Sequence, residues 1–440
     1  DSLLNRESEA TTRLAWYREK LYLETVEEVP NTQKISEYRQ RIFEIEEMIL
    51  KLREDLGKDY PEYYRVKYEE TPLSFELARK NMKKDEVLLS YSLELPREGN
   101  EGQLYIIALS TNGYRFIRQP FTQQHLEMVT TIFQTLADPG YLNTGREQFS
   151  AYCKSAFDLY RLLLFPFEEI ISDKKITVTP DGILNYLPFE ALLTESADLS
   201  TVHFHDLSYL ILRHTVSYGY SAALFSKGNK KGGRRSVAFA PVYLGDAGPA
   251  GTPSALPSIP GALQEVTLMS KKLRTTLYQG ERATESKFRE VAGQYDILHL
   301  AMHTLINDSL PLFSKLAFAS GDPGNLEDDG WLNAADVYTL HMKARMAVLG
   351  ACRSGGGTLR NGEGIISLAR GFFYAGCRSV VLSLWEVEDQ AGAQIMKEFY
   401  RNLKAGRSKD QALRNAKLKY LREASPVTAH PRLWLGYILI

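Results

Sequence analysis

An α/β fold, with a mainly parallel sheet flanked by helices, is what this sequence predicts. Three observations carry that reading. Beyond residue 235, apolar runs of strand length alternate with amphipathic runs of helix length, the pattern that builds parallel sheets through helical crossovers. Two of those runs, at residues 295–302 and 378–385, read as buried strands. The 440 residues are 44% hydrophobic and 24% charged, the balance of a globular chain with two or three domains.

Charge and cysteine usage narrow the function classes. The formal net charge is −1, so global charge gives no reason to expect a nucleic-acid partner. Cys153, Cys352 and Cys377 are the three cysteines. An odd and sparse count argues against a disulfide framework and predicts a reducing, cytoplasmic setting. No run approaches the ~18 apolar residues of a membrane helix, and no signal-peptide pattern opens the chain. The first residue is Asp1 rather than Met, which predicts a piece cut from something longer.

Residues 1–70 read as a helical hairpin and linker. Ile35, Tyr38, Ile42, Ile45, Ile49, Leu52 and Leu56 are spaced 3-4-3-4-3-4, a heptad stripe on a highly charged helix. Such a short stripe suits an antiparallel hairpin better than a dimerising coiled coil. Gly57 and Pro61 end the helix, and a tyrosine-rich connector follows at 59–68.

A second region spans residues 71–227. Strands are expected at 86–93, 104–109 and 114–118, with Asn112-Gly113 as a hairpin turn. Helices follow at 124–137 and 146–164, then a short strand at 175–179 that stops at Pro180-Asp181-Gly182. The mixture is itself an α/β layer. A Gly/Lys/Arg stretch at 227–235 marks a domain boundary or exposed loop.

The third region, 228–440, carries the alternation. Strands are expected at 237–241, 276–279, 295–302, 344–351 and 378–385. Helices are expected at 262–273, 284–292, 364–375, 390–404 and 409–423, the second opened by Thr284 as a cap. In such sheets the chemistry sits beyond the carboxyl ends of the strands. Two strand ends fit that rule. One apolar run ends in His303, and the run from Ala347 passes through Cys352 into Gly355-Gly356-Gly357. A thiol becomes nucleophilic on deprotonation, and an adjacent imidazole can take the proton. Backbone N–H groups beside Cys352 and His303 can hold an oxyanion. The plainer reading of a cysteine in a strand is a small core residue, which is how Cys377 and Cys153 are read. His299, four residues before His303, is read as a satisfied buried histidine.

These residues resemble a known family. His299-Leu-Ala-Met-His303, Gly350-Ala-Cys352-Arg-Ser-Gly355, Gly362-Glu363-Gly364, Ala375-Gly376-Cys377-Arg378-Ser379 and Ser383-Leu384-Trp385-Glu386-Val387-Glu388-Asp389 occur in this order. So do Pro180-Asp-Gly, Pro188-Phe189-Glu190, Leu256-Pro257-Ser-Ile-Pro-Gly261 and His430-Pro431-Arg-Leu-Trp434-Leu-Gly436-Tyr437. Together they are similar to the CHAT peptidase domain, a caspase-like module related to separase, over about residues 71–440.

The resemblance implies a caspase-like sheet with His303 and Cys352 as the catalytic dyad, and backbone N–H groups of Thr304 and Cys352 as oxyanion donors. Thr304 departs from the glycine usual in the family, and a pseudo-enzyme is the alternative that this raises. The resemblance also implies that 71–227 is a degenerate caspase-like half, and that residues 1–70 end an upstream repeat or sensor domain. It implies no cofactor and no metal, a bacterial tetratricopeptide-repeat setting, and a role in defence. Asp389 matches the acid that lines a pocket for a basic P1 side chain, and Glu386 is a second candidate; capping the helix expected at Gln390 is the structural alternative for Asp389. A solvated linker is the favoured reading of 227–235, with self-cleavage by a basic-specific peptidase as the alternative; the acidic loop 321–333 is read as a mobile surface loop, with covering the cleft as the alternative. The chain is thus expected to be a cysteine endopeptidase that cuts a protein after Arg or Lys. A catalytically inactive caspase-like scaffold is the alternative. A nucleotide site is not expected, because no Gly-Lys-Ser/Thr follows Gly355-Gly356-Gly357, and the cysteines lack zinc-ligand spacing.

Overall fold

The structure is a computed structural model. It describes residues 2–26, 30–59, 75–97, 100–143, 145–219, 235–245, 252–271, 273–307, 313–319, 328–350, 352–354 and 363–440. The tyrosine-rich connector and the stretch 227–234, read above as linkers, lie outside these residues, as does most of the acidic loop, 320–327.

The heptad stripe folds inward. Helix α1 (Ser2–Val26) packs against α2 (Thr32–Asp59). Ile45, Ile49 and Leu52 of the stripe are buried with Ala10, and the half-buried Leu14 and Tyr17 pack against them. Near the turn Lys34 pairs with Glu24 at 3.4 Å, and further along Arg18 pairs with Glu46 at 2.6 Å, so the two helices run antiparallel. The apolar seam is filled from within the chain, as a hairpin.

The first sheet has the order β3-β2-β1-β4-β5. Its strands are β1 (Glu86–Glu94), β2 (Gly102–Ser110), β3 (Gly113–Phe121), β4 (Lys175–Thr179) and β5 (Val216–Tyr218). β1, β2 and β3 form an antiparallel meander, turned by Gly113 at φ 148°, which suits glycine. β1, β4 and β5 are parallel. Helix α3 (Phe75–Asn81) contacts β2, and Ala78 and Met82 bury against Leu88 and Leu109. Helices α4 (Gln123–Ala137) and α5 (Arg146–Leu163) pack together in the main core with the apolar side chains of β1 and β2.

The second sheet has the order β15-β14-β12-β8-β6-β7. It is built from β6 (Ser236–Ala240), β7 (Thr275–Gln279), β8 (Ile297–Leu300), β12 (Met346–Leu349), β14 (Val380–Ser383) and β15 (Tyr437–Leu439). All pairs are parallel except β14 with β15. Every residue of β6, β8, β12 and β14 is buried, as a sheet covered on both faces requires. The covering helices are α6 (Pro260–Ser270), α7 (Glu285–Val291), α8 (Glu363–Tyr374), α9 (Asp389–Lys404) and α10 (Lys409–Glu423).

Three expected strands are shorter than read, and the run at 378–385 is a strand only over Val380–Ser383. The run at 295–302 belongs to the main sheet only up to Leu300, and the run at 344–351 only up to Leu349. Beyond these points the chain enters a small sheet of order β11-β10-β9-β13. Its strands are β9 (Thr304–Ile306), β10 (Lys315–Ala317), β11 (Trp331–Asn333) and β13 (Cys352–Ser354). Each is three residues long, too short to leave a period-two pattern.

One hydrophobic core runs through both large sheets. Polar struts cross between them. Lys417 on α10 donates to Glu190 at 2.7 Å, and both are buried. The Tyr218 hydroxyl donates to the same carboxylate at 3.2 Å. Burial pushes the Glu190 carboxyl up and the Lys417 ammonium down, and each charge offsets part of the other's shift. Arg414 donates to the carbonyls of Ile211 and Leu212 at 2.8 and 2.7 Å. Tyr209 meets Trp434 edge-on at 5.2 Å, and Phe204 meets His430 at 4.4 Å.

Candidate active site

The two short sheet exits build the site. β8 and β12 are neighbours, with Leu300 beside Leu349. Both chains then leave the main sheet and pair again, with Thr304 beside Cys352. Adjacent strands lie about 5 Å apart, so the Cys352 backbone stands next to the residue that follows His303. Gly350 permits the close passage: a Cβ there would lie 3.3 Å from the Leu300 carbonyl oxygen. The Cys352 side chain and residues 355–362 lie outside the described residues.

Thr304 is fully buried, and its hydroxyl donates to the Gly350 carbonyl at 3.2 Å. The side chain that departs from glycine therefore ties the two sheet exits together.

His303 is buried, 2% exposed. Its backbone N–H donates to the Tyr243 hydroxyl at 3.2 Å, and that hydroxyl donates to the Ala317 carbonyl at 2.6 Å. Ala317 N–H in turn donates to the His303 carbonyl at 3.0 Å. The phenol is thus inserted into one rung of the ladder between the two strands. Burial raises the Tyr243 pKa, which keeps it protonated for this task. The His303 ring places Nε2 2.7 Å from the Pro257 carbonyl. A carbonyl only accepts, so Nε2 carries the proton, and in the neutral ring Nδ1 is the basic nitrogen.

His299 sits behind this group, fully buried, with Nδ1 2.6 Å from the Tyr400 hydroxyl and Nε2 3.1 Å from Glu265. The pleat that would relate it to His303 stops at Leu300. It is a partnered interior histidine, as the sequence suggested.

Asp389 is half-buried at the start of α9. Its Oδ2 accepts the Gly261 N–H at 2.9 Å. The structural alternative for Asp389, capping of its own helix, is not what the structure shows. Glu388 caps α9, accepting from Ala391 N–H at 2.8 Å. Asp389 instead serves the N-terminus of α6, whose own cap residue, Ile259, offers no side-chain acceptor. The Glu386 side chain is exposed, and its carbonyl accepts from Arg432 at 3.1 Å. His303 and Asp389 are therefore held by the two ends of one segment, Pro257 and Gly261.

The remaining thiols are core residues. Cys377 is buried and donates to the Ser379 carbonyl at 3.2 Å, with burial pushing its pKa up to about 11. Cys153 lies in α5, pushed by burial up to about 12. The Pro257 carbonyl and the Tyr243 wedge escaped sequence reading, since a backbone acceptor has no side-chain signature and a tyrosine in a loop has many uses.

Residues 154–440 match the model of the CHAT domain family, a span that starts within α5 and includes His303, Cys352 and Asp389. Tetratricopeptide repeat protein 28 of Homo sapiens is 28% identical over 213 residues, covering 41% of this chain and 8% of that protein. Its Mus musculus counterpart is 24% identical over 397 residues, covering 79% of this chain and 16% of that protein. The chain thus spans a small part of the length of these curated relatives. Among solved structures, chains of the Saccharomyces cerevisiae separase–securin complex align with a TM-score of 0.46 in two crystal structures. One is 9% identical, covering 83% of this chain and 30% of that chain; the other is 10% identical, covering 98% and 36%. On the family match, which takes in more than half of its length, the chain belongs to the CHAT domain family.

Proposed function

We propose that this chain is a cysteine endopeptidase that cleaves a protein partner after Arg or Lys. The observation that carries the reading is the paired exit of β8 and β12, which sets the Cys352 backbone beside Thr304 while Pro257 fixes the His303 tautomer. In this reading the Cys352 thiolate attacks the scissile carbonyl, and the backbone N–H groups of Thr304 and Cys352 stabilise the oxyanion. His303 Nδ1 takes the thiol proton of Cys352 as the thiolate forms and delivers it to the leaving amine as the C–N bond breaks, and water then hydrolyses the thioester. Asp389 Oδ1 receives the basic P1 side chain, with Glu386 at the exposed rim. Residues 71–227 act as a non-catalytic supporting half to the catalytic 228–440, and the helices of 1–70 link to an upstream sensor or repeat domain. The naming of the mammalian relatives for tetratricopeptide repeats supports that last assignment.

A second reading is an inactive scaffold, favoured by the Thr304 hydroxyl, which is committed to the Gly350 carbonyl at a position where glycine is usual. A thiol-reactive probe with arginine at P1 separates the two. The peptidase reading expects labelling of the wild type at Cys352 and none of Cys352→Ala. Equal labelling of both proteins, or of neither, rejects it.

A further inference from the structure

The segment that leads into α6 touches two groups proposed for different tasks. At Pro257 its carbonyl accepts from His303 Nε2 at 2.7 Å; at Gly261 its N–H donates to Asp389 at 2.9 Å. Pro257 and Pro260 each fix one backbone angle, so the stretch between them is stiff. Behind it α6 is anchored. Glu265, one turn beyond Gly261, lies 3.1 Å from His299 Nε2. Tyr400, on the same helix as Asp389, lies 2.6 Å from His299 Nδ1. His299 belongs to β8, the strand that delivers His303. The contacts close a ring through β8, α6 and α9.

Within this ring Gly261 is where a side chain has no room. A Cβ there would stand 2.6 Å from Asp389 Cβ and 3.0 Å from its Cα, closer than carbon atoms approach without displacement. Any shift of Asp389 is therefore transmitted to Gly261, both through the hydrogen bond and through direct contact.

We propose that Gly261 is a positioning residue that couples the acidic specificity pocket to the histidine, so that the way Asp389 is held is felt at His303 in turnover. The inference rests on the peptidase reading above. A guanidinium bound at Oδ1 polarises the hydrogen bond at Oδ2. The stiff segment carries the resulting adjustment four residues back to the Pro257 carbonyl. That carbonyl orients the imidazole and fixes its tautomer, and small misplacements of a catalytic group reduce rates steeply.

Two peptides differing only at P1, arginine or its uncharged analogue citrulline, test this on the full chain. Asp389→Asn keeps an acceptor for the Gly261 N–H; Asp389→Ala removes it. Both lack the negative charge, so the citrulline peptide isolates the strut. The expected result is that Asp389→Ala turns over the citrulline peptide about tenfold more slowly than Asp389→Asn, in kcat rather than in KM. Gly261→Ala, checked for an unchanged fold by its melting curve, is expected to lose a similar factor in kcat on the arginine peptide. If Gly261→Ala does not fold, the two Asp389 variants decide alone. Equal kcat for these two on the citrulline peptide overturns the coupling and leaves the peptidase reading standing. A wild type that cleaves neither peptide refutes both.

Discussion

The two large sheets share a parallel centre and differ in what lies just past their strand ends. After β4, Asp181 accepts the Leu93 N–H at 2.8 Å, and Glu190 is held by Lys417 and Tyr218. These carboxylates are taken up inside the protein as struts. After β8 and β12 the chain instead opens into a second, smaller sheet, which sets Thr304 beside Cys352 and suspends His303 between Tyr243 and Pro257. In the first sheet the polar groups beyond the strands act as struts to other parts of the fold, and in the second they tie neighbouring strand exits and the segment at Pro257 together.

That contrast can be broken first at its thiols. Cys352→Ser is expected to lower peptide cleavage by at least about 10³-fold, whereas Cys153→Ser, in the core of the first half, keeps turnover and lowers the melting temperature. Initial rates on the purified variants check this, and a comparable loss of activity in Cys153→Ser would break the division of roles.

The next largest effect lies at the join. Lys417→Met leaves the buried Glu190 without its cation, which costs about 3–5 kcal/mol of stability. Chemical denaturation measures it, and Glu190→Gln combined with Lys417→Met is expected to recover much of the loss. An unchanged midpoint in Lys417→Met would mean that the two halves are not held by this pair.

Acidification sharpens the same comparison. Burial, with Arg432 adding to it, depresses the His430 pKa from 6.5 to about 4, where its ring meets Phe204 of the first half at 4.4 Å. The unfolded chain takes up this proton near pH 6.5 and the folded chain only near pH 4. Stability is therefore full above about 6.5 and falls as pH drops towards 4, by about 3 kcal/mol in all. His430→Gln flattens that slope, as melting curves taken across the range can show. At the small end, Arg18→Ala removes an exposed pair with Glu46 in the hairpin and is expected to change stability by less than about 0.5 kcal/mol.

What could be read in advance follows from range. The heptad stripe, the Asn112-Gly113 turn and the buried strands are local patterns, and each reports burial or backbone shape directly. His303 and Cys352 stood out because both follow apolar runs. The Lys417–Glu190 strut joins residues 227 apart in sequence, and the Gly261–Asp389 bond residues 128 apart. Neither member of these pairs signals its partner. Asp389 was noticed as an acid at a helix start, yet the helix it serves is α6 rather than its own. The small sheet was invisible because three-residue strands carry no periodicity, which is why β8 was read past Leu300.

The Tyr243 wedge has one practical consequence. Its ring centre lies 4.8 Å from that of His303, and its hydroxyl bonds to backbone groups of His303 and Ala317. A fluorine placed on that ring would act as a built-in spectroscopic reporter, sensing when the imidazole gains or loses charge while leaving the sulfur and the imidazole themselves chemically untouched.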